Sequence, residues 1–201
     1  MSGKEIEAKF YVRDLAKIEA RLRELKARLI QPRVHEKNIR FDTPGHSLSK
    51  ENRALRLRQD DQIRMTYKGA SAVKDGVSDR LEIEFALDDF QKAGEFLEAL
   101  GYEPIFFYEK YRATYELDNT HIMLDELPYG EFVEIEGESI EAIREIAERL
   151  HLKWDAAIGT SYHALFQRVC KARGLEPTQL TFAEFGASKP GSDALMVAAA
   201  D

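Results

Sequence analysis

The residues of this chain whose types and spacing could do chemistry are charged side chains set at every second position. Glu5-Ile6-Glu7-Ala8-Lys9-Phe10 sets the pattern, with two carboxylates and an ammonium on one face and Ile6, Ala8 and Phe10 on the other. Period two is the mark of a β-strand with unlike faces. The same parity returns in Arg56 and Arg58, in Arg64 and Lys68, in Arg80, Glu82 and Glu84, in Lys110 and Arg112, at Asp125, and in Glu134 and Glu136. A solvated sheet face normally mixes such charges with Thr, Ser, Gln and Asn, which are scarce here. Lysines and arginines suit phosphate oxygens, and arginine can clamp them bidentately. Clustered glutamates suit a hard divalent cation such as Mg²⁺ or Mn²⁺. A cation shared between carboxylates and a polyphosphate, with basic groups around the remaining oxygens, is the arrangement that phosphoryl-type chemistry needs.

The elements that must position these groups follow from periodicity. Asp14 caps a helix whose stripe is Leu15, Ile18, Leu22, Leu25 and Leu29, with Pro32 ending it. Strands are expected over 33–42, 54–58, 63–68, 80–85, 105–117, 121–125 and 132–137, in addition to the first. Residues 46–53 read as a polar connection and 69–79 as a mobile loop. Further helices are expected over about 88–100, 139–151 and 161–172, with Gly101 and Gly174 as stops. The mixed order gives an α+β fold rather than a regular βαβ alternation. The helices need an apolar surface, and the apolar strand faces supply it, so the charged faces look away from the helices. If the sheet closes, those charges line the inside of a barrel. If it stays open, they form a wet face laced with salt bridges, and the pattern alone allows both.

A chain of 201 residues is long enough for a real core without disulfides or structural metal. The net charge of −7 argues against a nonspecific nucleic-acid binder. No apolar run approaches a membrane span, and the acidic strand begins at once, so neither a membrane segment nor a signal peptide is expected. The single cysteine, Cys170, fits a reducing cytoplasm and reads as a small buried hydrophobe. P-loop, Cys-x-x-Cys, Gly-x-Ser-x-Gly and His-Glu-x-x-His motifs are all missing.

Glu5-x-Glu7-x-Lys9 resembles the N-terminal motif of the CYTH family, the triphosphate tunnel metalloenzymes. The likeness continues through Asn38-Ile39-Arg40-Phe41-Asp42-Thr43-Pro44, Ala54-Leu55-Arg56-Leu57-Arg58, Thr66-Tyr67-Lys68-Gly69, Arg80-x-Glu82-x-Glu84, Lys110-x-Arg112, Leu124-Asp125-Glu126 and Phe132-Val133-Glu134-Ile135-Glu136. Ser161-Tyr162-His163-Ala164-Leu165 is similar to a Ser-Tyr-x-x-Leu element found in class IV cyclase-like members.

The resemblance implies an eight-stranded antiparallel closed β-barrel, a tunnel with a charged lumen and helices packed outside. It implies one such domain over 1–185, and the small, Ala-rich end makes 186–201 a flexible or weakly ordered tail or a short annexed helix. Glu5, Glu7, Glu134 and Glu136 would then hold the metal. Lys9, Arg56, Arg58, Lys68, Arg80, Lys110 and Arg112 would hold a triphosphate. Asp125, orienting a nucleophile or binding metal, and Glu84, which could also support the metal, would be the catalytic carboxylates. Arg80 and Glu82 would pair or complete a second metal environment, and Tyr162 would pack at the tunnel mouth or in the core. Arg40 stands where some members carry an aromatic, which leaves contacts beyond the triphosphate open.

The implied activity is metal-dependent processing of ATP, tripolyphosphate or thiamine triphosphate in the cytoplasm. A class IV adenylyl cyclase leads, a triphosphatase is the alternative, and a non-catalytic polyphosphate-binding module is the third reading. A homodimer is plausible on this view.

Overall fold

The computed structural model describes residues 2–174, 179–185 and 192–201. Nine strands form one sheet: β1 (Ser2–Val12), β2 (Arg28–Asp42), β3 (Ala54–Gln59), β4 (Ile63–Lys68), β5 (Ala72–Lys74), β6 (Val77–Leu87), β7 (Glu103–Leu117), β8 (Thr120–Leu127) and β9 (Gly130–Glu136). Their order is β1-β9-β8-β7-β2-β3-β4-β6, and β6 pairs back onto β1. Eight antiparallel strands therefore close a barrel with no free long edge. The small β5 continues along the edge of β6 where β4 stops.

The helices are α1 (Leu15–Glu24), α2 (Ser47–Lys50), α3 (Phe90–Ala99), α4 (Ile140–Arg149), α5 (Tyr162–Arg173), α6 (Phe182–Phe185) and α7 (Ser192–Leu195). Side chains of Asp14, Asp89, Ser139 and Ser161 cap α1, α3, α4 and α5 by accepting from the amide three residues on. The outer strand residues Ala8, Phe10, Ile122, Leu124, Val133 and Ile135 pack with Ile18 and Leu22 of α1 and Ile143 and Ile146 of α4. On the other side Phe41, Leu55 and Leu57 pack with Ala93 and Leu97 of α3. Helices thus cover apolar strand faces, as the patterning predicts.

Several expectations are corrected. The first helix stops ten residues in, because Lys26 turns left-handed (φ 59°) and Ala27 N–H bonds back to Leu22 O. Leu29 and Pro32 belong to β2, where Pro32 lies in a register shift and is not needed as a ladder donor. Residues 46–53 contain the short helix α2, held by buried Asp42, which accepts from Leu48 N, Ser49 N and Ser49 Oγ.

The expected loop 69–79 is largely a hairpin, with Asp75 and Gly76 both at positive φ between β5 and β6. Asp-Gly is a strong two-residue hairpin signal that the polar composition masks. Among the described residues no helix covers the apolar face of β6: Leu81 is 50% exposed and Phe85 49% exposed.

Of the expected tail, residues 186–191 lie outside the described residues. The final stretch is packed, not loose: Ala200 N–H bonds to Tyr11 O, Asp201 accepts from Arg13 N, and Ala200 is fully buried.

Two glycines separate backbone strain from crowding. A Cβ on Gly76 (φ 78°) would lie 2.7 Å from Ala157 Cβ, whereas one on Gly101 (φ 86°) meets nothing within 4 Å. Gly101→Ala is expected to cost about 1 kcal/mol in urea unfolding, and Gly76→Ala about 2–3 kcal/mol. Equal losses would show that the Ala157 contact yields freely.

Candidate active site

Every one of the sequence-predicted site residues points into the barrel. The closing registers place Glu5 opposite Arg80, Glu7 opposite Glu136, Lys9 opposite Glu134, Arg112 opposite Asp125, Lys68 opposite Glu82 and Arg58 opposite Arg64. The period-two alternation then puts the intervening apolar residues on the outer face, under the helices everywhere but on β6.

The lumen divides into three linked ion clusters. In the first, Lys68 Nζ lies 2.6 Å from Glu5 and 2.9 Å from Glu82, and Arg80 Nε lies 2.8 Å from Glu5. Burial raises the Glu5 carboxyl, but Lys68 and Arg80 outweigh it and hold it at about 2. In the second, Lys9 Nζ stands 3.7 Å from both Glu7 and Glu134. In the third, Asp125 is fully buried and accepts from Arg112 through two bonds of 2.6 Å, from Lys110 at 3.1 Å and from Tyr162 Oη at 2.7 Å. Glu84 accepts both bonds of a bidentate Arg58 contact (3.0 and 3.1 Å) and one from Thr66 Oγ1. Arg56 reaches Thr66 Oγ1 at 3.2 Å and Glu84 at 3.7 Å. In this arrangement Asp125 and Glu84 anchor cations.

Two carboxylates are paired less closely: Glu7 stands 3.7 Å from Lys9 and 3.5 Å from Arg80, and Glu136 has no cation within 4 Å among the described residues. Glu7 and Glu136 face each other across β1 and β9. Burial, with Glu134 beside Glu7 and Glu5 beside Glu136, pushes both carboxyls up to about 7. Two hard oxygen donors that resist sharing a negative site are suited to a cation held partly by its substrate. Among the described residues no three acidic, histidine or cysteine side chains converge tightly enough to cage a metal alone.

Sequence reasoning gave no site role to Glu36, and it named Asn38 and Arg40 only within the family motif, with contacts beyond the triphosphate left open at Arg40. Glu36 is buried between Lys110 (3.5 Å), Arg58 (3.5 Å) and Arg112 (3.9 Å). Burial raises its carboxyl, but Lys110 and Arg112 hold it at about 2. The signal was present: Glu36, Asn38 and Arg40 share the alternate-position parity of the other lumen residues, on a strand given no role. Tyr162 is also drawn into the site. Its ring lies 4.6 Å from Lys9 Nζ, and its hydroxyl bonds Asp125. Helix α5 brings it there, because α5 seals one end of the barrel: Tyr11, Phe106, Leu127 and Phe132 on lumen positions pack with Leu165, Phe166 and Val169.

A closed eight-stranded barrel whose bore is filled by matched basic and acidic chains, and blocked at one end by a helix, defines a charged-lumen tunnel protein. The profile of the CYTH domain family matches residues 3–157. The chain belongs to that family. Among its relatives, the adenylate cyclase CyaB of Aeromonas hydrophila is 28% identical over 178 residues, covering 88% of this chain and 83% of that one. A solved structure from Vibrio parahaemolyticus, provisionally described as an adenylate cyclase, shares the fold with a TM-score of 0.73 at 22% identity, covering 81% of this chain and 97% of that one. The Hippeastrum protein HpAC1, described as a provisional adenylyl cyclase with a dominant triphosphatase activity, shares it with a TM-score of 0.61 at 19% identity, covering 86% and 95%. No helix of the described residues is long and apolar enough to cross a membrane.

The raised pair sets a pH dependence. Glu7 and Glu136 titrate at about 7 in the folded chain against 4.5 unfolded, so the folded state binds these protons more tightly. That contribution is complete below about pH 4.5 and is lost as pH rises through about 7. Glu5 and Glu36 act in the opposite sense, but below 4.5. Thermal unfolding of the metal-free protein is therefore expected to drop by several degrees from pH 5 to pH 8, at about 2–4 °C per kcal/mol. The Glu7→Gln/Glu136→Gln double variant should flatten that slope.

Proposed function

We propose that this chain is a divalent-metal-dependent enzyme that processes a triphosphate inside the tunnel, as a class IV adenylyl cyclase-like enzyme forming cyclic AMP and pyrophosphate from ATP. The observation that carries this reading is the belt of Lys9, Arg56, Arg58, Lys68, Arg80, Lys110 and Arg112 around one bore, each within 4 Å of a carboxylate. A polyanion entering that bore can replace carboxylates as partner to several cations at once, so the cations remain compensated throughout. The name of the Aeromonas relative supports the cyclase direction.

Glu5, Glu7, Glu134 and Glu136 would hold Mg²⁺ or Mn²⁺, with the Glu7–Glu136 pair as its best seat. The cation, when bound, supplies neutralisation of the phosphate oxygens and polarisation of the phosphorus under attack. The remaining work falls to the chain. Lys9, Arg112 and Lys110 grip one stretch of the triphosphate, and Arg56, Arg58 and Lys68 another. Asp125 and Tyr162 fix the orientation of Arg112 and Lys110, while Glu84 and Thr66 fix Arg58 and Arg56. In the cyclase reaction the ribose 3′ oxygen attacks the α-phosphorus, its bond to pyrophosphate breaks, and the nucleophile's proton leaves to base or solvent.

A triphosphatase is the second reading, with water attacking the terminal phosphorus. The description of HpAC1 favours it, and the same grip on the phosphates serves it. A cytoplasmic location suits either substrate and the single cysteine.

Incubation with Mg²⁺ or Mn²⁺ and ATP, thiamine triphosphate or tripolyphosphate, with product separation, tests the proposal. Cyclic AMP and pyrophosphate from ATP are expected. Glu7→Gln is expected to cut kcat at least about 100-fold while metal-free ATP affinity stays within a few-fold. Orthophosphate as the sole product would move the assignment to a triphosphatase, and no metal-dependent turnover of any of the three would leave a binding module.

A further inference from the structure

The bore contains one group of polar side chains that the ion clusters do not use. Asn38 is fully buried, yet neither its Oδ1 nor its Nδ2 has a hydrogen-bond partner among the described residues. Its registers face it to Arg58 on β3 and Tyr108 on β7, which are lumen positions. The next lumen residue on β2, Arg40, has no carboxylate within 4 Å among the described residues, and its Nε is buried and unpartnered. Every other cation of the bore has an acidic partner. Arg40 lies opposite Phe106. Phe106 stacks with Tyr108 (centroids 5.8 Å) and meets the ring of His163 edge-on at 4.5 Å. His163 Nδ1 is again buried without a partner, and burial together with Arg40 pushes the imidazole down to about 4, so it is neutral at pH 7.

Asn38, Arg40, Phe106 and Tyr108 adjoin on β2 and β7, with His163 of α5 against Phe106, directly beside Arg56 and Arg58 of the phosphate belt. Leaving a buried amide unpaired costs about 1–3 kcal/mol, so the arrangement requires a reason. A phosphate would not provide it. Ionised phosphate oxygens accept only, and could satisfy Nδ2 and Arg40 but not Oδ1. A ligand that serves both ends of the Asn38 amide brings a donor and an acceptor, and one that fits between these rings is flat. An amino-bearing purine has both properties: an asparagine amide pairs bidentately with the adenine edge, and arginine planes and aromatic rings stack on bases.

Resting on the triphosphate reading above, we propose that Asn38, Arg40, Phe106, Tyr108 and His163 form a nucleoside subsite that makes this chain selective for adenine-bearing triphosphates over inorganic tripolyphosphate. Asn38 reads the base edge. Arg40 and the aromatic rings pack against its plane. The phosphates then run from Arg56 and Arg58 along the bore.

Calorimetric titration of the full chain in metal-free buffer, with ATP and with tripolyphosphate, tests this. Asn38→Leu is expected to weaken ATP binding about 10–100-fold and to leave tripolyphosphate within about 2-fold. The ligand-free variant should melt no lower than the wild type, since it loses an unpaired amide; a purely structural asparagine would make it melt lower. Lys110→Gln should weaken both ligands. The wild type alone supplies a second measurement: purine riboside triphosphate, which lacks the 6-amino group, should bind about 10-fold more weakly than ATP. Equal loss of ATP and tripolyphosphate in Asn38→Leu, or equal wild-type affinity for ATP and purine riboside triphosphate, overturns the subsite while leaving the triphosphate reading intact. Failure of the wild type to bind either triphosphate overturns both.

Discussion

The constraint on which this structure depends is electrical compensation inside a closed barrel. Lys9, Lys110, Glu134 and Asp125 are each less than 10% exposed. A charge taken that far from water is tolerated only with a partner in good geometry, and removal of one member of such a pair costs about 3–5 kcal/mol. Four register pairs meet this with opposite signs: Glu5 against Arg80, Lys9 against Glu134, Lys68 against Glu82 and Arg112 against Asp125. A one-residue slip in any of these registers would carry the whole charged set of a strand to the outer face and its apolar set into the bore. Charge pairing and hydrophobic burial thus fix the same register from opposite sides of the sheet.

That double constraint explains why so much of the molecule can be read from one dimension. The alternation in Glu5–Phe10, Ala54–Arg58 and Arg80–Phe85 records both faces of each strand, and the capping residues Asp14, Asp89, Ser139 and Ser161 mark the helix starts. The patterning left open whether the sheet closes, because alternation is identical in an open sheet. Closure is a property of the β1–β6 pairing, which joins residues some seventy-five apart in sequence and leaves no local trace.

The parts that were not legible share a physical cause. Leu29 continues a helical spacing, but backbone geometry at Lys26 ends the helix first. The Asp75-Gly76 turn was hidden in a polar stretch whose composition alone suggests a loop. Asn38 and Arg40 sat on the right parity, yet an unpaired amide is visible only when every neighbour is in place. Tyr162 was expected at the tunnel mouth or in the core, and only its bond to Asp125 was hidden. It lies beyond residue 157, where the family match ends, and it reaches Asp125 from the helix that seals the barrel. No spacing rule links residues 125 and 162.

The seal has a kinetic meaning. With Phe106, Leu127 and Phe132 packed under Leu165 and Phe166, the bore is a blind shaft and not a passage. Whatever enters leaves by the same opening. Traffic is then strictly one at a time: a departing product and an arriving substrate cannot pass each other. A ligand seated in such a shaft stands in the way of the next one.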